Sequence, residues 1–141
     1  MQASLERASL DESPPERLAA LMRAAMTGNT AAVVALLNKG ADINGQDHAG
    51  RTALMEAAFG GHAETIEALL VRGASLNVRD NDGWTALMEA SSKSHVEIAR
   101  ALLTRGADVN TKSKNGWTAL RATPKGNPEM IKLLKRFGAI R

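Results

Sequence analysis

Asp80-Asn81-Asp82-Gly83-Trp84-Thr85-Ala86-Leu87-Met88-Glu89-Ala90, a polar run to Ser94-His95, then Val96-Glu97-Ile98-Ala99-Arg100-Ala101-Leu102-Leu103-Thr104-Arg105-Gly106-Ala107-Asp108-Val109-Asn110: this stretch decides the fold. Thirty-three positions earlier the same text stands as Gly50-Arg51-Thr52-Ala53-Leu54-Met55-Glu56-Ala57, Gly61-His62 and Ala68-Leu69-Leu70-Val71-Arg72-Gly73-Ala74-Ser75-Leu76-Asn77. It begins again at Gly116-Trp117-Thr118-Ala119-Leu120. A fixed period of this size marks a stacked solenoid, in which each unit carries apolar faces that it cannot bury alone.

One period translates into local structure. Gly50 and Gly83 stand where a tight turn requires positive φ, and Thr52, Thr85 and Thr118 follow as hydroxyl caps for a first helix. Leu54, Ala57 and Ala58, like Leu87, Ala90 and Ser91, recur at i, i+3, i+4, which predicts a narrow apolar face small enough for neighbouring helices to approach closely. Gly61-His62 and Ser94-His95 break the chain. A second helix then carries Ile66, Leu69 and Leu70, or Ala99, Leu102 and Leu103, and ends at Gly73 or Gly106 as a left-handed residue.

This unit resembles the ankyrin repeat, whose pattern is a turn with Gly, a Thr-Pro-Leu-His helix start, a Gly-His break and a Leu-Leu-x-x-Gly-Ala-Asp-x-Asn ending. The likeness covers roughly residues 14–141. It departs from the pattern at the helix start, where Ala53, Ala86 and Ala119 replace Pro and Met55, Met88 and Arg121 replace His. Loss of that His removes a brace for the turn, so stiffness below the family norm is expected there. The fold implied is all-α, a solenoid of four stacked helix-turn-helix repeats with short β-turn fingers, at about residues 14–46, 47–79, 80–112 and 113–141 of a single domain spanning 13–141.

Length and composition agree with that reading. A chain of 141 residues with 44% hydrophobic and 3% aromatic content suits one domain with a core of Leu, Ala, Val, Ile and Met. There is no cysteine, which excludes disulfides and thiolate metal sites and suits a cytoplasmic protein. No run has the length of a membrane span, and Glu6, Asp11 and Glu12 stand where a signal peptide would be apolar.

The two ends depart from the repeat. Residues 1–12 fall outside it; Leu5 and Leu10 offer little to dock with, and a frayed segment is expected. Ser13-Pro14-Pro15-Glu16 combines a cap, a proline start and Glu at the third helical position, so a helix should begin at Pro14. In the last repeat Pro124 should stop the first helix at about Thr123, and Asn127-Pro128 should start the second. Ile131 and Leu134 are expected to keep the core face, while Lys135 stands where Leu37, Leu70 and Leu103 stand in the other repeats. A lysine at a stacking position argues that nothing stacks on it, and the expectation is a complete, capped, monomeric stack.

No catalytic constellation emerges. His62 and His95 share one register at the break and read as loop braces; His48 lies alone on a turn tip. No helical metal pair, phosphate-cradling Gly loop or Gly-x-Ser-x-Gly elbow is present, and no cofactor is implied. Glu56 and Glu89 stand in register, but stacked helices set them roughly 10 Å apart, a charged stripe more readily than an acid and base pair. The expectation is a chain that is not an enzyme.

What the resemblance implies is binding of another protein on a concave face built from turn tips and first helices. On the tips stand His48, Ala49, Arg51, Asn81, Asp82, Trp84, Lys114, Asn115 and Trp117; on the first helices stand Arg23, Met26, Glu56, Phe59, Glu89, Ser92, Lys93, Arg121 and Lys125. Trp84 and Trp117, the only tryptophans, share one register that serves either packing on the neighbouring finger or a partner contact. Phe59 is open to the same two readings. Charge is uneven: residues 113–141 hold seven basic residues against one acidic, a net +6, and the remainder eleven against fourteen, a net −3. That end would draw an acidic partner or a nucleic acid, or simply be a solvated cap. No recognition helix or aromatic platform for bases accompanies the charge, which disfavours nucleic acid.

Overall fold

The computed structural model describes residues 13–140. The expectations for residues 1–12, a frayed segment with Leu5 and Leu10 to dock, lie outside the described residues. Within them the chain forms eight helices and no strand. These are α1 (Pro14–Thr27), α2 (Thr30–Asn38), α3 (Ala53–Gly60), α4 (Ala63–Val71), α5 (Ala86–Ser92), α6 (Val96–Thr104), α7 (Ala119–Ala122) and α8 (Pro128–Arg136). They make four antiparallel pairs, each stacked on the next.

Local chemistry sets the helix boundaries. The hydroxyls of Thr52, Thr85 and Thr118 accept from the amides of Met55, Met88 and Arg121 at 3.2–3.3 Å, and Ser13 does the same for Glu16. Asn127 caps α8 through the Met130 amide, with Pro128 opening the helix. Thr123 turns extended before Pro124, so α7 has only four residues.

Burial of the first helices exceeds the periodicity reading. Instead of a narrow face, every residue from Ala53 to Ala58 and from Ala86 to Ser91 is buried, because each first helix is enclosed by its neighbours, its own second helix and the turn. Successive first helices pack on one another more extensively than successive second helices do. Ala24, Ala25, Ala57, Ala58, Ala90 and Ser91 permit that approach, so the stack is tighter on the first-helix side. Burial of Leu54 and Leu87 stabilises the stack by about 1.5–3 kcal/mol each.

The expectation for α8 needs correction. Its core residues are Met130, Leu133 and Leu134, whereas Ile131 is only half-buried. Ile131 takes the register of Ile66 and Ala99, which the following pair covers; among the described residues nothing covers Ile131.

Between pairs, polar side chains repeat with the stack. The Asn44 side chain accepts from the Ser75 amide, Asn77 from Asp108 and Asn110 from Ile140, at 2.8–2.9 Å. His62 Nε2 lies 2.8 Å from the Met26 carbonyl and His95 Nε2 3.3 Å from that of Phe59, so both imidazoles tie a helix break to the preceding pair.

Candidate functional site

The three fingers are hairpin turns at residues 47–51, 80–84 and 113–117. Each is closed by two backbone bonds, in the second finger Asp80 N–H to Trp84 O at 2.8 Å and Gly83 N–H to Asp80 O at 2.9 Å, with Gly50, Gly83 and Gly116 at φ 78, 82 and 80. Met55 and Met88 fill the helix-start positions, each 1% exposed, and the turns find other braces. Asp47 Oδ1 accepts from the amides of Ala49 and Arg51, and Asp80 Oδ1 from those of Asp82 and Trp84. Ser113 Oγ accepts from the Trp117 amide. The fingers also pair with each other, Asn81 N–H donating to Ala49 O and Lys114 N–H to Asp82 O, while the Asn81 amide reaches His48 O.

The acidic register residues are not a free stripe. Arg51 Nε donates to Glu56 at 2.7 Å, and Nη1 donates to Glu89 at 2.7 Å and Asp80 at 3.1 Å. Burial alone would lower the pKa of that guanidinium; its hydrogen bonds to Glu89 and Glu56 and their charges outweigh this and hold it above its ordinary range. Glu56 and Glu89 are buried. Asp80, which sequence reading passes over, completes the set; the signal was its identity with Asp47 at the turn start.

The remaining expected residues divide by exposure. His48, Asn81, Asp82, Lys114 and Asn115 are exposed on the tips, and Arg23, Met26, Phe59, Lys93, Arg121 and Lys125 on or beside the first helices. Ser92 is half-buried, its hydroxyl spent on the Glu89 carbonyl. The tryptophans part company: Trp84 is half-buried against the core, Trp117 is 40% exposed.

Two cations lie over exposed aromatics of this side. Lys93 Nζ stands 4.7 Å from the ring centre of Phe59, and Arg121 Cζ stands 5.4 Å from that of Trp117. Contacts of this exposed kind contribute about 0.5–1 kcal/mol and hold long side chains in place. Met26 and Phe59 occupy one register on successive first helices, 38% and 39% exposed.

Such a surface offers shape, apolar contact and positive charge. Among the described residues no group of three or more His, Asp or Glu is placed to hold a metal ion, and no buried side-chain N or O atom lacks a partner. No helix among them is long and apolar enough to cross a membrane.

No curated protein matches the chain. A family model described as ankyrin repeats, three copies, matches it over residues 21–113 and again over 66–139. With helix pairs, fingers and inter-pair ties all following that register, the chain belongs to the ankyrin-repeat family, whose repeats are generally protein–protein interaction modules.

Proposed function

We propose that the chain is a non-catalytic cytoplasmic adaptor or inhibitor that binds another protein along the side formed by the fingers and first helices. The observation that carries this reading is the row of Met26 and Phe59, half-open in one register, with Lys93 over the Phe59 ring and exposed Trp117 further along the stack. Large apolar side chains left open beside fixed cations are the chemistry of interface anchors, and a preorganised stack presents them at little ordering cost. With Glu56 and Glu89 buried and held by Arg51, the exposed charges of the first helices are mainly positive, Arg23, Lys93, Arg121 and Lys125, while the fingers expose Asp47 and Asp82 beside Lys114. A partner segment bearing apolar groups and carboxylates fits this face.

The test is affinity capture from the source cell, followed by titration of the recovered partner against wild type and Phe59→Ala/Trp117→Ala. At least a roughly ten-fold loss of affinity is expected. Unchanged affinity in a variant with wild-type thermal stability would reject this assignment of the face.

A further inference from the structure

The last helix pair carries a second surface, with an apolar floor of its own and with Arg121 and Lys125 shared with the finger and first-helix side. Between α7 and α8 lies a groove of about 780 Å³, floored by Leu120, Ile131 and Ala139 and rimmed by Arg121, Lys125 and Lys135.

Register explains its form. Leu54 and Leu87, the equivalents of Leu120, are 2% and 1% exposed beneath the following first helix, whereas Leu120 is half-open. The groove is therefore a helix seat, shaped by the packing that the inner pairs use. Its rim breaks the pattern: Arg121 replaces Met55 and Met88, each 1% exposed, and Lys135 replaces Leu70 and Leu103, 7% and 4% exposed. Another apolar repeat laid here would bury two cations against hydrocarbon, which is costly without paired carboxylates. The surroundings offer few of those, since Glu129 is the single acidic residue among positions 113–141.

We propose that this groove seats an amphipathic helix of another protein, its apolar stripe covering Leu120 and Ile131 and its flanking carboxylates meeting Lys125, Lys135 and Arg121. Charge complementarity selects acidic flanks, and the apolar floor selects a peptide over nucleic acid, whose phosphates gain nothing from leucine and isoleucine. This site does not depend on the Met26 and Phe59 row.

The experiment uses the full chain and two synthetic helical peptides with one leucine stripe, flanked by Glu in the first and by Lys in the second. Fluorescence anisotropy should show binding of the Glu peptide only, weakening as salt is raised. Lys125→Glu/Lys135→Glu should cut that affinity at least about ten-fold and gain binding of the Lys peptide. Ile131→Gln should weaken binding without reversing the preference. Phe59→Ala/Lys93→Ala, which alters the other face, should leave binding unchanged, so the two readings fail independently. Both groove variants alter residues that are exposed or half-exposed, and circular dichroism melts establish that they are folded. Equal binding of both peptides, or an unaltered preference in the folded charge-reversed protein, overturns the proposal. So does an RNA or DNA duplex that displaces the Glu peptide and binds as tightly to Ile131→Gln. Light scattering that shows a dimer dissolved by Lys125→Glu/Lys135→Glu overturns it in favour of a second copy as occupant.

Discussion

Arg51 and Glu89, thirty-eight positions apart, meet at 2.7 Å across the boundary between the second and third helix pairs. The same guanidinium holds Glu56 in its own pair and Asp80 at the base of the next finger. One cation thus compensates three carboxylates, each with a side chain no more than 12% exposed. Arg51→Met removes the compensation while keeping most of the volume, and should destabilise the fold by about 3 kcal/mol, at the low end for stripping one partner from a buried charge set. Arg51→Lys keeps the charge but not the planar fork, and should cost about 1–2 kcal/mol. Urea unfolding measures both. Equal stability of Arg51→Met and wild type would mean that the carboxylates are solvated rather than tied.

The helix breaks make a paired prediction. Gly28 has φ 75 and Gly61 φ 77, and an added Cβ would come within 2.4 Å of the His62 ring at the first and 2.6 Å of the His95 ring at the second. Ser94 occupies the same register with φ 62, and there the following pair presents Asn127 instead of an imidazole. A Cβ is tolerated where no histidine needs the room. Gly61→Ala should cost about 2 kcal/mol, combining left-handed strain with a disturbed His95 contact. Ser94→Gly should stabilise by about 0.5 kcal/mol, the left-handed relief less the added entropy of glycine. Thermal melts of the two variants should shift in opposite directions.

Trp84 and Trp117 separate packing from exposure within one register. Trp84→Ala should destabilise by about 2 kcal/mol, below the figure for a fully buried tryptophan because the ring is only half covered. Trp117→Ala should cost less, about 1 kcal/mol, most of it from the lost contact with Arg121. Fluorescence gives an independent check, since these are the only tryptophans. Trp84→Phe leaves an emitter that is red-shifted and readily quenched by acrylamide; Trp117→Phe leaves one that is bluer and protected. Indistinguishable spectra would contradict the placement of the two rings.

These cases show where a linear text speaks and where it stops. The threonine caps, the start at Pro14 and the stop before Pro124 are all read correctly because each depends on residues within four positions. Arg51, Glu56 and Glu89 could be assigned to tips and first helices by register, yet not to one another. Their meeting depends on a side chain that spans the gap between stacked helices, and the helix spacing alone gave a stripe. The half-burial of Ile131 was missed for a related reason: its register is apolar in every repeat, but burial there comes from the following pair. Lys135, standing where Leu37, Leu70 and Leu103 stand, was the local sign that this face differs from the others.

The last described pair should also open first. In a linear stack each pair is stabilised by its neighbours, and the last pair is covered on one side among the described residues. It also has the shortest helix, α7 with four residues, and half-open Leu120 and Ile131. Its ties to the preceding pair include the Asn110 side chain, which donates to Gly138 O at 3.0 Å and accepts from the Ile140 amide at 2.9 Å. Native-state hydrogen exchange should therefore find the amides of α7 and α8 exchanging through a local opening of lower free energy than those of α3 and α5. Asn110→Ala should lower that local free energy by about 1 kcal/mol while leaving protection in α3 unchanged. Uniform protection across all four pairs would show instead that the stack opens as one unit, and that the end groove is held as firmly as the core.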